Sequence, residues 1–191
     1  PCRRLFAFDQ YSVIDAVSHR PASVAFTATP STRTDGGVVP ALVSSGGNPT
    51  GVLWADQSVN AYRFSFHVDG AADTAWSTVE SATTGETDDH LNMKAHSDGR
   101  VFVVGKNAAN NLLLLVRATS GTWSRFVITQ PSPILTRPIL LLDEPGNLIR
   151  VFATGQDTGE VFEKTSPISS ISFAAGTGTI RMRDASTVFR I

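Results

Sequence analysis

The sequence is poor in the features that mark most functional classes. It holds one cysteine, Cys2, so no disulfide framework is available within the chain. Charged residues make up 17%, against about 25% in ordinary soluble domains. The formal net charge is −1, without a long run of Lys or Arg, which argues against nucleic acid or an anionic membrane surface as the main partner. The longest apolar runs, Leu112 to Val116 and Ile139 to Leu142, are far too short for a spanning helix, so no membrane insertion is expected. Signal-peptide features are missing, and the chain starts at Pro1 and stops at Ile191. This predicts a fragment, so the missing export signal decides nothing about secretion. Helical periodicity is missing as well. There is no phosphate loop, dinucleotide fingerprint or Gly-x-Ser-x-Gly elbow, since Gly176-Thr177-Gly178 lacks both the spacing and a following helix. No cofactor is expected, and His19, His67 and His96 lack metal-ligand spacing. Asp69-Gly70 and Asp73 suggest a calcium loop only loosely, because Ala71 and Ala72 break the ligand run.

What is present is Gly, Ser, Thr and Asn in quantity, in a chain of 191 residues that is long enough to bury a sizeable core. The pattern is one of short β runs separated by turns. In the clearest unit, His90 to Ala95 alternates polar and apolar residues, and Ser97-Asp98-Gly99 is a tight-turn signal because Gly tolerates positive φ. Val101 to Gly105 follows, then an Asn-rich loop, Leu112 to Arg117, a turn at Ser120-Gly121, and Trp123 to Thr129. Four antiparallel strands in a meander make one propeller blade. The unit recurs with Pro138 to Asp143 as first strand, Glu144-Pro145-Gly146-Asn147 as turn, Leu148 to Thr154 as second strand and Glu160 to Thr165 as third. Arg100-Val101-Phe102 matches Arg150-Val151-Phe152. Further back, Thr50 to Trp54 reads as a first strand and Ala61 to His67 as a second, and Trp76 sits where Trp123 sits one unit later. The spacing, about 47 to 50 residues, is that of propeller repeats.

The expected fold is therefore all-β: a β-propeller fragment of about three to four four-stranded antiparallel blades, with first strands near 50, 90 and 138. Residues 46–191 form the blades. Residues 1–45, with one strand at Ser23 to Ala28, form a partial blade or connecting segment, and the remaining blades are missing from this piece. A middle strand of a blade is covered on both faces, so it is apolar without alternation. Leu112 to Leu115 and Ile139 to Leu142 read that way. A two-sheet sandwich is the competing fold.

The stretch Asp88-Asp89-His90-Leu91-Asn92, followed by Asp98-Gly99-Arg100-Val101-Phe102, with Thr136-Arg137-Pro138 opening the next unit, resembles the sialidase-like BNR-repeat β-propeller family. Some members open a blade with Asp-Asp-His-Asn and continue through an Asp-Gly-Arg turn. The resemblance covers roughly Asn48 to Ala185 and implies a propeller. It does not imply sialidase activity. The Asp-box Ser-x-Asp-x-Gly-x-Thr-Trp is not intact, because Thr119-Ser120-Gly121-Thr122-Trp123 keeps only its final Thr-Trp and Ala72-Asp73-Thr74-Ala75-Trp76 keeps less. The sialidase arginine triad and nucleophilic tyrosine do not map onto the chain. The wider group includes polysaccharide lyases that cleave uronate-containing glycans with His, Arg and Tyr.

The candidate site lies on the inner strands, which border the central channel of a propeller. His90, Asn92 and Lys94 share one side of such a strand because alternate residues share a face. Arg137 opens the next inner strand, and Asp88 and Asp89 sit at the rim. In a ligand role Arg137 pairs with a carboxylate and His90 acts as a base or hydrogen-bond donor. In a structural role Asp89 fixes His90 and ties two blades together. Trp76 and Trp123, recurring at the blade spacing, read as packing residues, whereas Trp54 at the end of an inner strand is a ligand candidate. Two readings stay open. The first is a secreted or cell-surface module binding carbohydrate, with an acidic polysaccharide as first choice, or a surface partner. The second is a glycan-active enzyme, most plausibly a polysaccharide lyase or a glycosidase-like BNR-repeat protein, with His90 and Arg137 as catalytic candidates. The binding module ranks first, because Tyr11 and Tyr62 fall at no obvious catalytic place.

Overall fold

The computed structural model describes residues 6–8, 13–15, 41–44, 49–68, 70–72, 74–88, 90–130 and 132–183. Cys2, Tyr11, His19, the strand expected at Ser23 to Ala28, Asp69, Asp73 and Asp89 lie outside them. The fold is all-β, and no helix occurs among the described residues. β1 (Phe6–Phe8) and β2 (Val13–Asp15) pair as a small antiparallel ribbon.

The rest forms three four-stranded antiparallel sheets, each a simple meander. Sheet 1 contains β3 (Ala41–Ser44), β4 (Pro49–Asp56), β5 (Ala61–Val68) and β6 (Glu80–Ser81). Sheet 2 contains β7 (Leu91–Ala95), β8 (Val101–Lys106), β9 (Leu112–Arg117) and β10 (Trp123–Thr129). Sheet 3 contains β11 (Leu135–Asp143), β12 (Leu148–Gly155), β13 (Val161–Pro167) and β14 (Thr179–Met182).

The turn chemistry explains the meanders of sheets 2 and 3. Gly99, Asn110, Gly121 and Asn147 all sit at positive φ between consecutive strands, where Gly and Asn are tolerated best. The two Trp residues also fall where the repeat puts them. Trp123 pairs with Arg117 at the end of the third strand of sheet 2. Trp76 bridges His67 near the end of the third strand of sheet 1.

Sheet 1 corrects the expectation by one strand. Ala41–Ser44 is its first strand and Pro49–Asp56, expected near Thr50 as a first strand, is its second. Ala41–Ser44, expected in the segment before the blades, therefore pairs with β4.

The three sheets stack with sheet 2 in the middle. Leu91, Met93, Val101, Val103, Leu113 and Leu115 pack on Leu53, Tyr62 and Phe64 of sheet 1. Phe102, Val104, Leu112, Leu114 and Val116 pack on Leu140, Ile149, Val151 and Phe162 of sheet 3. Odd and even residues of β8 and β9 therefore enter different cores, as the two-residue period of a strand demands. This is why Leu112 to Leu115 is apolar without alternation.

The run Ile139 to Leu142 has a different cause from the one expected. It lies in a first strand, and it alternates: Leu140 is buried, while Ile139 is 55% and Leu141 46% exposed. They stand on the face of sheet 3 turned away from sheet 2. The buried Glu163 lies opposite Phe152 and accepts hydrogen bonds from Arg150 (2.7 Å) and Arg181 (2.6 Å). Burial works to raise its pKa, and the two guanidiniums outweigh it and hold the carboxyl below its ordinary value.

Candidate functional site

The first strands of successive sheets stand side by side, β3 beside β7 and β7 beside β11. Two contacts fix the direction of the second pair. Asn92 Oδ1 accepts from Leu140 N at 3.1 Å. Further along, Glu144 Oε1 accepts from Ser97 N at 3.0 Å, and its Oε2 lies 3.8 Å from His96 Nε2. Contacts advance together along both chains, so β7 and β11 run the same way.

His90 precedes β7 by one residue, and Arg137 lies on β11. Arg137, however, does not open its strand. It is the third residue of β11, in a bulge between Thr136 and Ile139, with φ of +50°. The backbone counterpart of His90 is Ile134, since Lys106 N donates to His90 O and Gln156 N to Ile134 O. A bulge re-aims the side chain it carries, and Arg137 is exposed.

Around His90 the structure assembles a polar cluster that includes two residues the sequence did not single out. Asp88 Oδ1 lies 3.4 Å from His90 Nδ1, and Asp88 Oδ2 lies 3.6 Å from Lys106 Nζ. Tyr62, fully buried in sheet 1, donates its hydroxyl to Lys106 O (2.5 Å) and accepts from Asp88 N (3.2 Å). The tie between sheets 1 and 2 thus runs through Tyr62. A partner 44 residues away leaves no local signature in sequence. Asn92 serves the tie between sheets 2 and 3.

Lys94 is exposed in β7 on the side of Asn92, opposite the buried Leu91 and Met93. Trp54 belongs to a second strand and so does not end an inner one. It is half-buried, on the face opposite Leu53 and Ala55, which pack on sheet 2.

The cations divide sharply. Arg63, Arg100, Arg117, Arg125, Arg150, Arg181 and Arg183 each meet a carboxylate. Lys106 meets Asp88, and Lys164 donates to the carbonyls of Ala174 and Gly176. Among the described residues, Arg137 and Lys94 are the cations with no hydrogen bond or ion pair. Both lie in first strands. Also among the described residues, no group of three or more His, Cys, Asp or Glu is placed to hold a metal ion. No described helix is long and apolar enough to cross a membrane.

A separate groove of about 490 Å³ runs between β10 and the segment after β6, lined by Ser81, Thr83, Thr84, Glu86, Trp123 and Arg125. It exists because β6 is two residues long, so the inward-facing side chains of β10 overhang open space. Two bidentate pairs brace it. Arg117 donates to both oxygens of Glu80 (2.8 and 2.6 Å), and Arg125 to both oxygens of Glu86 (2.5 and 2.7 Å). Burial works to raise the pKa of Glu80, and bonds from Arg117 and Trp123 outweigh it; Glu86 is lowered by Arg125 against burial. Both stay ionised through the neutral range. No known family model matches the chain, and no curated protein matches it.

Proposed function

We propose that the three sheets are successive blades of a β-propeller, and that the protein is a secreted or surface module that binds an acidic glycan along its inner strands. Three features support the propeller. Each sheet is a four-stranded meander, the first strands adjoin one another, and the middle sheet is covered on both faces. A sandwich has two sheets, with one buried face on each. The exposed Ile139 and Leu141 mark the face where the next blade would pack, because propellers leave no broad apolar face open.

The observation that carries the ligand class is the pair of unengaged cations. Every other described Arg and Lys is already satisfied, while Arg137 and Lys94 stand exposed on neighbouring parallel strands. Level with Lys94 on β11 is Leu142, five residues beyond Arg137. At about 3.3 Å per residue the two strand positions are roughly 16 Å apart, a span that suits an extended chain of uronates rather than one sugar. Arg137 is exposed at a left-handed φ, a conformation uncommon for a non-glycine residue. His90 and Asp88 supply hydroxyl-binding groups at the same end.

Titration calorimetry with an oligogalacturonate tests the reading. Arg137→Ala is expected to weaken binding by about ten- to a hundredfold, the equivalent of roughly 1.5–3 kcal/mol for a hydrogen bond to a charged group, with an unchanged melting curve. Unaltered affinity in Arg137→Ala, or in the double variant with Lys94→Ala, contradicts it. Release of unsaturated ends from the polymer would identify the lyase instead of the binding module.

A further inference from the structure

We propose that the groove between β10 and residues 81–86 is a second binding site, which takes a neutral pyranose. The proposal goes beyond the acidic-glycan reading and does not depend on it. Three observations carry it.

The first is a fixed aromatic wall. Trp123 faces sheet 1 because its β10 neighbour Arg125 lies opposite Leu115, a residue of that core. Its indole Nε1–H donates to Glu80 Oε2 at 2.9 Å, and its ring meets Phe64 edge-on at 5.6 Å. The polar handle of the indole is thus used inside the protein. The ring is held in place while it lines the groove. A wall immobilised before binding loses little side-chain entropy when ligand arrives.

The second is charge cancellation. Glu86, the carboxylate lining the groove, is closed by Arg125 through two hydrogen bonds. An anionic ligand would meet Glu86 beside a guanidinium whose charge is already answered, and a cationic one would meet Arg125. A neutral ligand incurs neither repulsion.

The third is the rim. Thr84 is exposed, with no hydrogen bond among the described residues, whereas the Ser81 hydroxyl accepts from Arg63 and is already engaged. Arg125 is 42% exposed, and its Nη1 takes no part in the pair with Glu86. An alcohol and a guanidinium N–H across from an indole match the hydroxyl edge and C–H face of a sugar ring. The volume, about 490 Å³, falls within the range of small-molecule clefts, roughly 300–1,000 Å³.

The full chain at micromolar concentration is to be titrated with the methyl glycosides of glucose, galactose and mannose, and with methyl glucuronide, by saturation-transfer NMR. At least one neutral glycoside is expected to receive saturation on its ring C–H protons and to shift the Trp123 indole resonance. Trp123 itself packs on the core, so the blocking variant is Thr84→Phe, at an exposed position outside it. That variant is expected to weaken the neutral glycoside at least tenfold, and Arg137→Ala to leave it unchanged. Binding of the glucuronide alone, undiminished binding by Thr84→Phe, or no saturation transfer to any neutral glycoside overturns the proposal. If the neutral sugars fail while oligogalacturonate still binds through Arg137, the groove is excluded and the acidic-glycan reading stands. The opposite pattern excludes the acidic-glycan reading alone.

Discussion

Replacing Gly105 by alanine is expected to cost about 3–5 kcal/mol of folding stability, because the added methyl has nowhere to go. A Cβ at Gly105 would lie 2.8 Å from both Cζ and the hydroxyl oxygen of Tyr62. The far end of a side chain can often swing aside, but this ring is fully buried between two sheets, and its hydroxyl is held by Lys106 O and Asp88 N. Displacing it combines overpacking, about 1–3 kcal/mol, with two hydrogen bonds of about 1 kcal/mol each. Urea unfolding measures the sum. In a Tyr62→Leu background the same glycine substitution should cost much less, because the clashing atoms are gone; a cost unchanged by that background would contradict the account.

The second large effect is expected from the paired leucines of β9. Leu113 and Leu114 are each fully buried, yet they belong to different cores. Truncating either to alanine should cost about 2–5 kcal/mol. Their side chains point to opposite faces and share no apolar neighbours across the sheets, so the two losses should add. The double variant would then lose about 4–10 kcal/mol, comparable to the whole stability of an ordinary domain, and is expected to be unfolded at room temperature by circular dichroism. A double loss no larger than either single loss would mean that both leucines serve one core.

Much of the architecture was legible because turns and periodicity are local. Ser97-Asp98-Gly99 and Glu144-Pro145-Gly146-Asn147 announce hairpins, and the structure puts positive φ at Gly99 and Asn147. The four-strand reading of sheet 2 matches within a residue or two. Sheet 1 was misread by one strand because Ala41–Ser44 is four residues long and the Gly-, Pro- and Ser-rich sequence after it reads as linker. Ile139 to Leu142 misled for the opposite reason. A continuous apolar run signals two-sided cover, whereas here one face has no cover among the described residues.

The candidate site was legible in part. Asp88, His90, Asn92, Lys94 and Arg137 do fall on adjoining first strands or at their start. Sequence could not reveal that Asn92 is committed to Leu140, that Arg137 sits in a bulge, or that Tyr62 and Lys106 complete the cluster. Each depends on a neighbouring sheet or on a register shift. The groove beside Trp123 was missed because it arises from the shortness of β6, and a strand too short to register has no pattern to detect.

Methyl NOE spectroscopy of the four consecutive leucines tests most directly whether sheet 2 is covered on both faces, as the propeller proposal requires. The account predicts that Leu113 and Leu115 show NOEs to Leu53 of sheet 1, and that Leu112 and Leu114 show NOEs to Ile149 and Val151 of sheet 3. If all four leucines instead contact the same sheet, or if one alternate pair faces solvent, the middle sheet is not covered on both sides and the propeller reading is wrong.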